Sequence, residues 1–336
     1  MPFPDFLGIG AQKAGTQWLA RNLSRHPEIW MPPLKELHYF DERIKEPRFG
    51  ALLARLAGKS HTAEWYDRFW WDQLKWNLQQ RRENFELEKV LWDLRFFARS
   101  PSDRWYASLF KRARGRVAGE ITPAYSVLDE GTIAHVHALM PEAKLVFMMR
   151  NPIERIYSSA VMYLDLEGQD PQTATEEQFS RLFDEKGDER TRYLQSLESW
   201  RKYYPDEQIF VGFLEDVNFH PAALLRRLYA FLDVDASFAQ KAIRRKVHAR
   251  SGAQMPARLA ARAAKTYHEE LRGLDARFNG YASFWLYAAE ELLSGAMGQG
   301  TIAYPLWESP LWERWVAGSS WEGGPQSGSL DSIILR

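Results

Sequence analysis

The stretch FLGIGAQKAGTQW, residues 6–18, constrains the fold of this chain more than any other part of the sequence. Its apolar start predicts a buried strand over residues 5–9, and the residues after Gly15 predict a helix over 16–24. The first turn of a helix presents unpaired backbone N–H groups and the positive end of the helix dipole. The sequence therefore predicts an anion-binding loop over residues 13–17.

The position of the lysine distinguishes this loop from the common nucleotide-binding one. The pattern G-x-x-x-x-G-K-[ST] places lysine directly after the second glycine, where it reaches the β- and γ-phosphates. Here Thr16 follows Gly15 at once, and Lys13 comes two residues earlier. We therefore expect a phosphate-type ligand that Lys13 contacts from inside the loop, with Ala14, Gly15, Thr16 and Gln17 around it.

Strands and helices alternate through much of the remaining chain. Strands are predicted over residues 116–121, 144–149 and 208–214, and helices over 131–141, after Pro152 and over 221–232. This alternation is typical of an α/β fold with a central parallel sheet flanked by helices. Ligands of such sheets bind beyond the carboxyl ends of the strands.

The predicted domain organisation is one domain over residues 1–295 and an extension over 296–336. Residues 41–115 interrupt the alternation as a mostly helical, aromatic-rich insertion on the expected acceptor side. Six of the 14 tryptophans lie there, namely Trp65, Trp70, Trp71, Trp76, Trp92 and Trp105. Core packing and acceptor binding both remain open for them. Within the extension, residues 318–329 are rich in Gly and Ser and predict a flexible tail.

Composition excludes several classes of protein. The absence of cysteine excludes disulfides, thiolate catalysis and cysteine-ligated metals. The 44 Lys and Arg residues balance the 44 Asp and Glu residues, which argues against a nucleic-acid binder. We see no apolar run long enough for a membrane span and no targeting segment, so a cytoplasmic location is expected.

A second anion-binding group is expected at the end of the strand over residues 144–149. Arg150 follows that strand directly, and Ser158 lies two turns into the next helix. The fork of donors on arginine suits a phosphate, although a salt bridge is the alternative. Anion sites at the ends of two strands of one sheet indicate a nucleotide with two separated phosphate groups.

The two regions together resemble the signatures of the PAPS-dependent sulfotransferases. GAQKAGTQWL resembles their K-x-G-T loop for the 5′-phosphosulfate, and FMMRNPIERIYSSAVMY resembles their R-[ND]-P-x-x-R-x-x-S motif for the 3′-phosphate. The resemblance covers residues 3–40 and 115–260. It implies a P-loop NTPase-like fold, PAPS as sulfuryl donor, PAP as product and no metal. It also implies that Lys13 reaches the bridging oxygen that becomes the leaving group, and that Arg150 and Ser158 hold the 3′-phosphate.

The segment PPLKELHYFDE, residues 32–42, supplies the candidates for the catalytic base. It resembles the K-E-x-H-[FY]-F segment of the heparan-type sulfotransferases, which implies that Glu36 is the general base, with Lys35 beside the acceptor. His38 is the rival, because the ordinary pKa of histidine suits a base and another branch of the family uses histidine. An extended segment would place Glu36 and His38 on one face.

Two further segments carry weaker candidates. EITPAYS resembles the T-P-x-Y segment of the family, which implies that Glu120, Thr122 and Tyr125 border the acceptor, although a simple turn also explains it. KVHARSGAQMPAR resembles the late loop over the nucleotide and departs from it at His248. The residues carried over from that loop are Ser251, Gly252 and Arg258.

The function that follows from these expectations is sulfuryl transfer from PAPS to an acceptor hydroxyl. The Glu36 segment favours a carbohydrate-like acceptor, while a small alcohol, a phenol and a lipid remain open. Two alternatives are a P-loop kinase of a small metabolite and a non-catalytic PAP-binding protein of the same fold. Against the kinase stand the missing lysine after Gly15 and the absence of a carboxylate at the end of the strand over 144–149, where Arg150 stands instead.

Overall fold

The structure is a computed structural model of the chain. It describes residues 3–41, 86–97, 101–186, 189–238, 253–295 and 300–334, together with the single positions Lys75, Asn77 and Gln79.

A six-stranded sheet forms the centre of the fold. In chain order its strands are β1 (Phe6–Gly10), β2 (Ile29–Trp30), β3 (Val117–Ile121), β4 (Lys144–Met149), β5 (Ile209–Phe213) and β8 (Gly328–Ser329). They lie side by side in the order β2-β3-β1-β4-β5-β8. The first five are parallel, which confirms the predicted sheet, and β8 pairs antiparallel with β5 at one edge. Sequence reasoning did not predict this antiparallel edge.

The helices and a second, two-stranded sheet complete the described chain. Helices up to the end of β4 are α1 (Thr16–Leu23), α2 (Leu87–Phe97), α3 (Asp103–Leu109) and α4 (Glu130–Leu139). Helices after it are α5 (Pro152–Leu166), α6 (Glu176–Lys186), α7 (Tyr193–Arg201), α8 (Leu214–Phe219), α9 (Pro221–Phe231), α10 (Ala257–Thr266), α11 (His268–Phe278), α12 (Tyr281–Leu293), α13 (Pro310–Gly318) and α14 (Leu330–Ile334). The small sheet pairs β6 (Ala253–Pro256) antiparallel with β7 (Thr301–Tyr304).

Burial explains why the strand predictions succeeded. Every residue of β1 and β5 is buried, and all residues of β4 after Lys144 are buried as well. A strand covered on both faces carries a continuous apolar run, which is the pattern the sequence shows. Helix α5 begins where proline is tolerated, because Pro152 is its first residue and the Asn151 side chain accepts from the amide of Ile153.

The described part of the predicted insertion is helical and packs as core. The Trp92 ring stacks on Phe96, and its indole N–H donates to the Leu109 carbonyl at 3.1 Å. The Trp105 indole donates to the Arg95 carbonyl at 2.9 Å. For Trp92 and Trp105 the structure therefore shows core packing, one of the two roles left open by the sequence. The other four, Trp65, Trp70, Trp71 and Trp76, lie outside the described residues.

The segment expected to be a flexible tail contributes to the main sheet instead. The buried carboxylate of Asp216 accepts hydrogen bonds from the amides of Gln326 and Ser327 at 2.9 and 2.6 Å, and from the Ser327 hydroxyl at 2.6 Å. The small Gly and Ser side chains let this backbone approach the Asp216 carboxylate closely. The composition that predicted flexibility therefore allows the contact with Asp216. Among the described helices, none combines the length and the apolar character needed to cross a bilayer.

Candidate active site

The loop between β1 and α1 has the geometry of an anion-binding turn. Gly15 precedes α1 in the left-handed region, with φ 87°, and no side chain caps the helix. A Cβ added at Gly15 would lie 2.9 Å from a methyl group of Leu214, so only glycine fits here without displacement. The first amides of α1 lack intrahelical acceptors, and together with the dipole they favour an anion in front of the helix.

Buried polar atoms without hydrogen-bond partners lie along this loop and its flanks. They are Gln12 Oε1 in the loop, Trp18 Nε1 in α1 and Asn151 Nδ2 at the end of β4. Leaving such a group unpaired costs about 1–3 kcal/mol, so folded proteins rarely do so without a reason. Of the three, Gln12 Oε1 is the one within the loop itself.

Arg150 connects the end of β4 to the loop. Its side chain is 9% exposed, and each of its three guanidinium nitrogens donates to the protein. Nε donates to Glu154 Oε2 at 3.0 Å, Nη1 to the Lys13 carbonyl at 3.2 Å, and Nη2 to the Tyr304 hydroxyl at 2.6 Å. Ser158, further along α5, lies close enough to the Tyr304 hydroxyl to affect its pKa. The structure thus places Arg150 and Ser158 around the Tyr304 hydroxyl, with Arg150 bonded to it.

The base segment lies at the carboxyl end of β3 and is not extended. Glu36 and His38 both have positive φ angles, of 64° and 53°. The reason is a set of backbone hydrogen bonds: the amide of Glu36 donates to the Ile121 carbonyl at 3.2 Å, and the amide of Tyr39 donates to the Tyr125 hydroxyl at 2.9 Å. Glu36 and His38 still face each other, but through this bent backbone and not through the period of a strand.

Four charged side chains follow one another in this segment. Lys35 forms an ion pair with Glu36 Oε1, His38 Nε2 lies 3.6 Å from Glu36 Oε2, and His38 Nδ1 lies 2.6 Å from Asp41 Oδ2. Sequence reasoning did not single out Asp41, although its position three residues after His38 was a signal.

These contacts shift the pKa of both base candidates. Burial raises the pKa of Glu36, but the Lys35 charge and the His38 hydrogen bond outweigh it and lower that pKa to about 2. Burial lowers the pKa of His38, but hydrogen bonds to Asp41 and Glu36 outweigh it and raise that pKa to about 9. At neutral pH Glu36 is therefore an anion and His38 a cation.

Glu120, Thr122 and Tyr125 are buried beneath the base segment, and none of them is exposed. Glu120 Oε1 accepts from the hydroxyls of Tyr106 at 2.6 Å and Tyr125 at 3.0 Å. Glu120 Oε2 accepts from the Thr122 hydroxyl at 2.7 Å and the Leu37 amide at 3.4 Å. In this arrangement the three residues expected to border the acceptor support the base segment from below, because their polar groups are directed at each other.

We expect Glu120→Ala to lower the free energy of unfolding by at least about 3 kcal/mol, because it leaves several buried donors unpaired. Tyr106→Phe removes one of those donors and should cost about 0.5–1.5 kcal/mol, as for a typical hydrogen bond. Denaturant titration measures both. A loss below about 1 kcal/mol for Glu120→Ala would contradict the support role, since unpaired buried donors alone cost that much.

The late-loop candidates are only partly described. Arg258 lies exposed in the first turn of α10. Ser251 and Gly252 lie outside the described residues, so their nucleotide contacts remain predictions. In the part of the chain that the structure describes, no group of three or more His, Cys, Asp or Glu side chains is arranged to hold a metal ion.

Comparison with known proteins decides the family. The profile described as "Sulfotransferase family" matches residues 4–238, well over half of the chain. The chain belongs to the sulfotransferase family. Carbohydrate sulfotransferase 15 from Rattus norvegicus and from Mus musculus are each 28% identical to this sulfotransferase, over 165 and 169 residues. Each match covers 48% of the chain and 27% of the relative, so the chain spans about a quarter of the length of these relatives.

A solved structure shows that the fold is also that of a sulfotransferase. The crystal structure of a sulfotransferase from Alicyclobacillus acidocaldarius superposes with a TM-score of 0.56 at 22% identity. The superposition covers 85% of this chain and 99% of the other. The predicted α/β sulfotransferase fold is therefore confirmed.

Proposed function

We propose that this sulfotransferase moves a sulfuryl group from PAPS to a hydroxyl of a carbohydrate-like acceptor. The observation that carries the proposal is the junction of two anion-binding groups: Arg150 at the end of β4 donates to the backbone of Lys13 within the loop of β1 at 3.2 Å. PAPS has two separated anionic groups, a 5′-phosphosulfate and a 3′-phosphate. The loop suits the first, and Arg150 with Ser158 suits the second.

Lys13 and the amides of the loop are the proposed partners of the phosphosulfate. PAPS supplies the sulfuryl group, and negative charge builds on the phosphate as that group departs through a loose, in-line transition state of the kind known for phosphoryl transfer. A lysine inside the loop stabilises that charge more in the transition state than in the ground state. Ser251, Gly252 and Arg258 are proposed as further nucleotide contacts.

The order of the strands supports a base on the opposite side of the loop. Strand β1 lies between β3 and β4, so the loop lies between the base segment at the end of β3 and Arg150 at the end of β4. An in-line displacement needs the acceptor on the far side of the sulfur from the leaving group. The placement of Glu36 is consistent with that requirement.

The charge states favour Glu36 over His38 as the base. His38 is protonated at neutral pH and has no lone pair to accept a proton, whereas Glu36 is ionised. We propose that Glu36 takes the proton late in the reaction, when the acceptor oxygen bonds to sulfur and its proton becomes acidic. His38, held by Asp41, and Lys35 then orient the carboxylate.

The pH dependence of activity separates the two bases. With Glu36 as base, kcat/KM should stay level from pH 6.5 to about 8, because Glu36 is ionised throughout. With His38 as base, kcat/KM should rise about tenfold per pH unit until pH reaches about 9.

The pH dependence of stability follows from the same shift. Folding raises the pKa of His38, so the contribution of protonated His38 to the free energy of unfolding is complete below pH 6.5 and is lost as pH rises through about 9.

The proposed acceptor class rests on the relatives and on the base segment. The two curated relatives are named as carbohydrate sulfotransferases, and the Glu36 segment resembles that of the heparan-type enzymes. We therefore propose a glycan hydroxyl as the acceptor. A screen of glycans, phenols, small alcohols and hydroxylated lipids with labelled PAPS tests this choice, and sulfation of phenols alone would contradict it.

Nucleotide binding tests the donor. We expect PAP to bind without Mg²⁺, and Arg150→Ala to weaken that binding by about 1.5–3 kcal/mol, the value of hydrogen bonds to a charged group. Calorimetry measures both, with Arg150→Lys as the variant that keeps the charge. Unchanged PAP affinity in Arg150→Ala would overturn the assignment of Arg150, and Mg²⁺-dependent ATP binding without PAP binding would favour a kinase.

A further inference from the structure

Arg150, the charged donor proposed for the 3′-phosphate, binds a side chain of the protein itself. The hydroxyl oxygen of Tyr304 accepts from Arg150 Nη2 at 2.6 Å, and Ser158 lies close to it. These are the two residues expected to hold a phosphate oxygen. The Tyr304 hydroxyl therefore takes the place at Arg150 that one oxygen of the 3′-phosphate would take.

Several contacts hold Tyr304 in this position. Its ring lies against the Arg150 guanidinium at 5.0 Å and meets the Tyr157 ring edge-on at 5.1 Å. It ends strand β7, which pairs with β6. Two residues later, the amide of Leu306 donates to Glu154 Oε1 at 2.6 Å, so the carboxylate that binds Arg150 also anchors the segment carrying Tyr304.

A phosphate that takes up Arg150 has to replace one of its present partners. Glu154 is buried and forms an ion pair with Arg150 at 3.0 Å, and Lys13 offers a backbone carbonyl of the loop, so both belong to the frame of the site. The Tyr304 hydroxyl is a neutral acceptor, and charge-assisted hydrogen bonds to a phosphate are about twice as strong as neutral ones. The hydroxyl is therefore the partner that a 3′-phosphate displaces at least cost.

We propose that Tyr304 is a specificity-determining residue whose hydroxyl competes with the 3′-phosphate of the nucleotide for Arg150. This inference rests on the proposed function, because it takes Arg150 and Ser158 as the 3′-phosphate site. A nucleotide without that phosphate leaves the Tyr304 bonds intact. The protein then avoids unpaired buried donors, which are the usual cause of strong discrimination against a ligand lacking one group. Tyr304 thus lowers the preference for 3′-phosphorylated nucleotides.

The test compares PAP with AMP, the same nucleotide without the 3′-phosphate. Tyr304→Phe removes the competing hydroxyl and keeps the ring against Arg150 and Tyr157. We expect PAP to bind about tenfold more tightly to this variant, the effect of one hydrogen bond to a charged group. AMP should bind with unchanged affinity, as measured by calorimetry and by competition at high AMP concentration.

Tyr157→Phe is the matched control. It removes a hydroxyl from the neighbouring ring, where that hydroxyl donates to the Gln254 carbonyl at 3.0 Å. We expect it to leave the ratio of PAP to AMP affinity unchanged. A Tyr304→Phe variant with weaker or unchanged PAP binding, or with equal gains for PAP and AMP, would overturn the competition. A wild-type protein that binds no PAP would instead overturn the proposed function, and the inference with it.

Discussion

Lys13→Ala is expected to lower kcat by about 10²–10³-fold, the cost of removing one group that stabilises charge in a transition state. PAP affinity should fall far less. The reason is that the proposed contact of Lys13 strengthens as the leaving phosphate gains charge, whereas PAP binding reports the ground state of the product. Single-turnover transfer of labelled sulfate measures the first effect, and calorimetry with PAP measures the second.

Lys13→Arg is the control for charge at this position. If charge alone matters, Lys13→Arg should recover part of the activity. If the lysine must reach the bridging oxygen between phosphate and sulfate, Lys13→Arg should recover little activity. Equal losses of turnover and PAP affinity in Lys13→Ala would mean that the lysine only binds the nucleotide.

Glu36→Gln should lower kcat by about 10²–10⁴-fold, the range for loss of a general base. The amide keeps the size of the side chain and much of its hydrogen bonding, but it cannot accept the proton. PAP affinity should barely change, because Glu36 lies at the end of β3, on the opposite side of β1 from Arg150. Steady-state kinetics with the acceptor from the screen, together with PAP calorimetry, separates these effects.

His38→Ala is the matched comparison within the same cluster. It removes the cation 3.6 Å from Glu36 and should be milder than Glu36→Gln, because it disturbs the orientation of the carboxylate and leaves the base in place. The reverse order, with Glu36→Gln near wild type and His38→Ala nearly inactive, would assign the base to His38. The expected acceptor would then shift from a carbohydrate towards a small alcohol or phenol.

The parts of the fold that sequence predicted are those controlled by local pattern. The apolar run KLVFMM predicted β4 because that strand is buried on both faces. The position of Gly15 predicted the start of α1 because a left-handed residue there needs glycine. Arg150 and the loop could be placed together, since the carboxyl ends of neighbouring parallel strands meet at one edge of the sheet.

The parts that sequence missed depend on contacts between distant segments. The bent backbone at Glu36 and His38 results from hydrogen bonds to Ile121 and Tyr125, more than 80 residues away in the chain. The two-residue period of a strand could not show this. Sequence reasoning also did not predict that the Glu120 carboxylate is directed inward. A T-P-x-Y segment does not specify which side of the strand end its polar groups face.

The C-terminal residues show the same limit. A stretch rich in Gly and Ser has no apolar period, so sequence reasoning expected a flexible tail, yet Ser327 is fully buried against Asp216. Tyr304 likewise had no sequence signal, because its partner Arg150 lies 154 positions earlier. Both positions are determined by where β5 and β4 end, which only the assembled sheet reveals.

The most direct test of the proposed function is transfer of radiolabelled sulfate from PAPS to a glycan acceptor in the presence of EDTA. We predict a labelled product from the wild-type protein, formed without added metal, and formation at least about 10²-fold slower from both Lys13→Ala and Glu36→Gln. A protein that binds PAP but transfers no label to any glycan, phenol, alcohol or lipid in the screen would contradict sulfuryl transfer. It would leave a nucleotide-binding protein of the sulfotransferase fold.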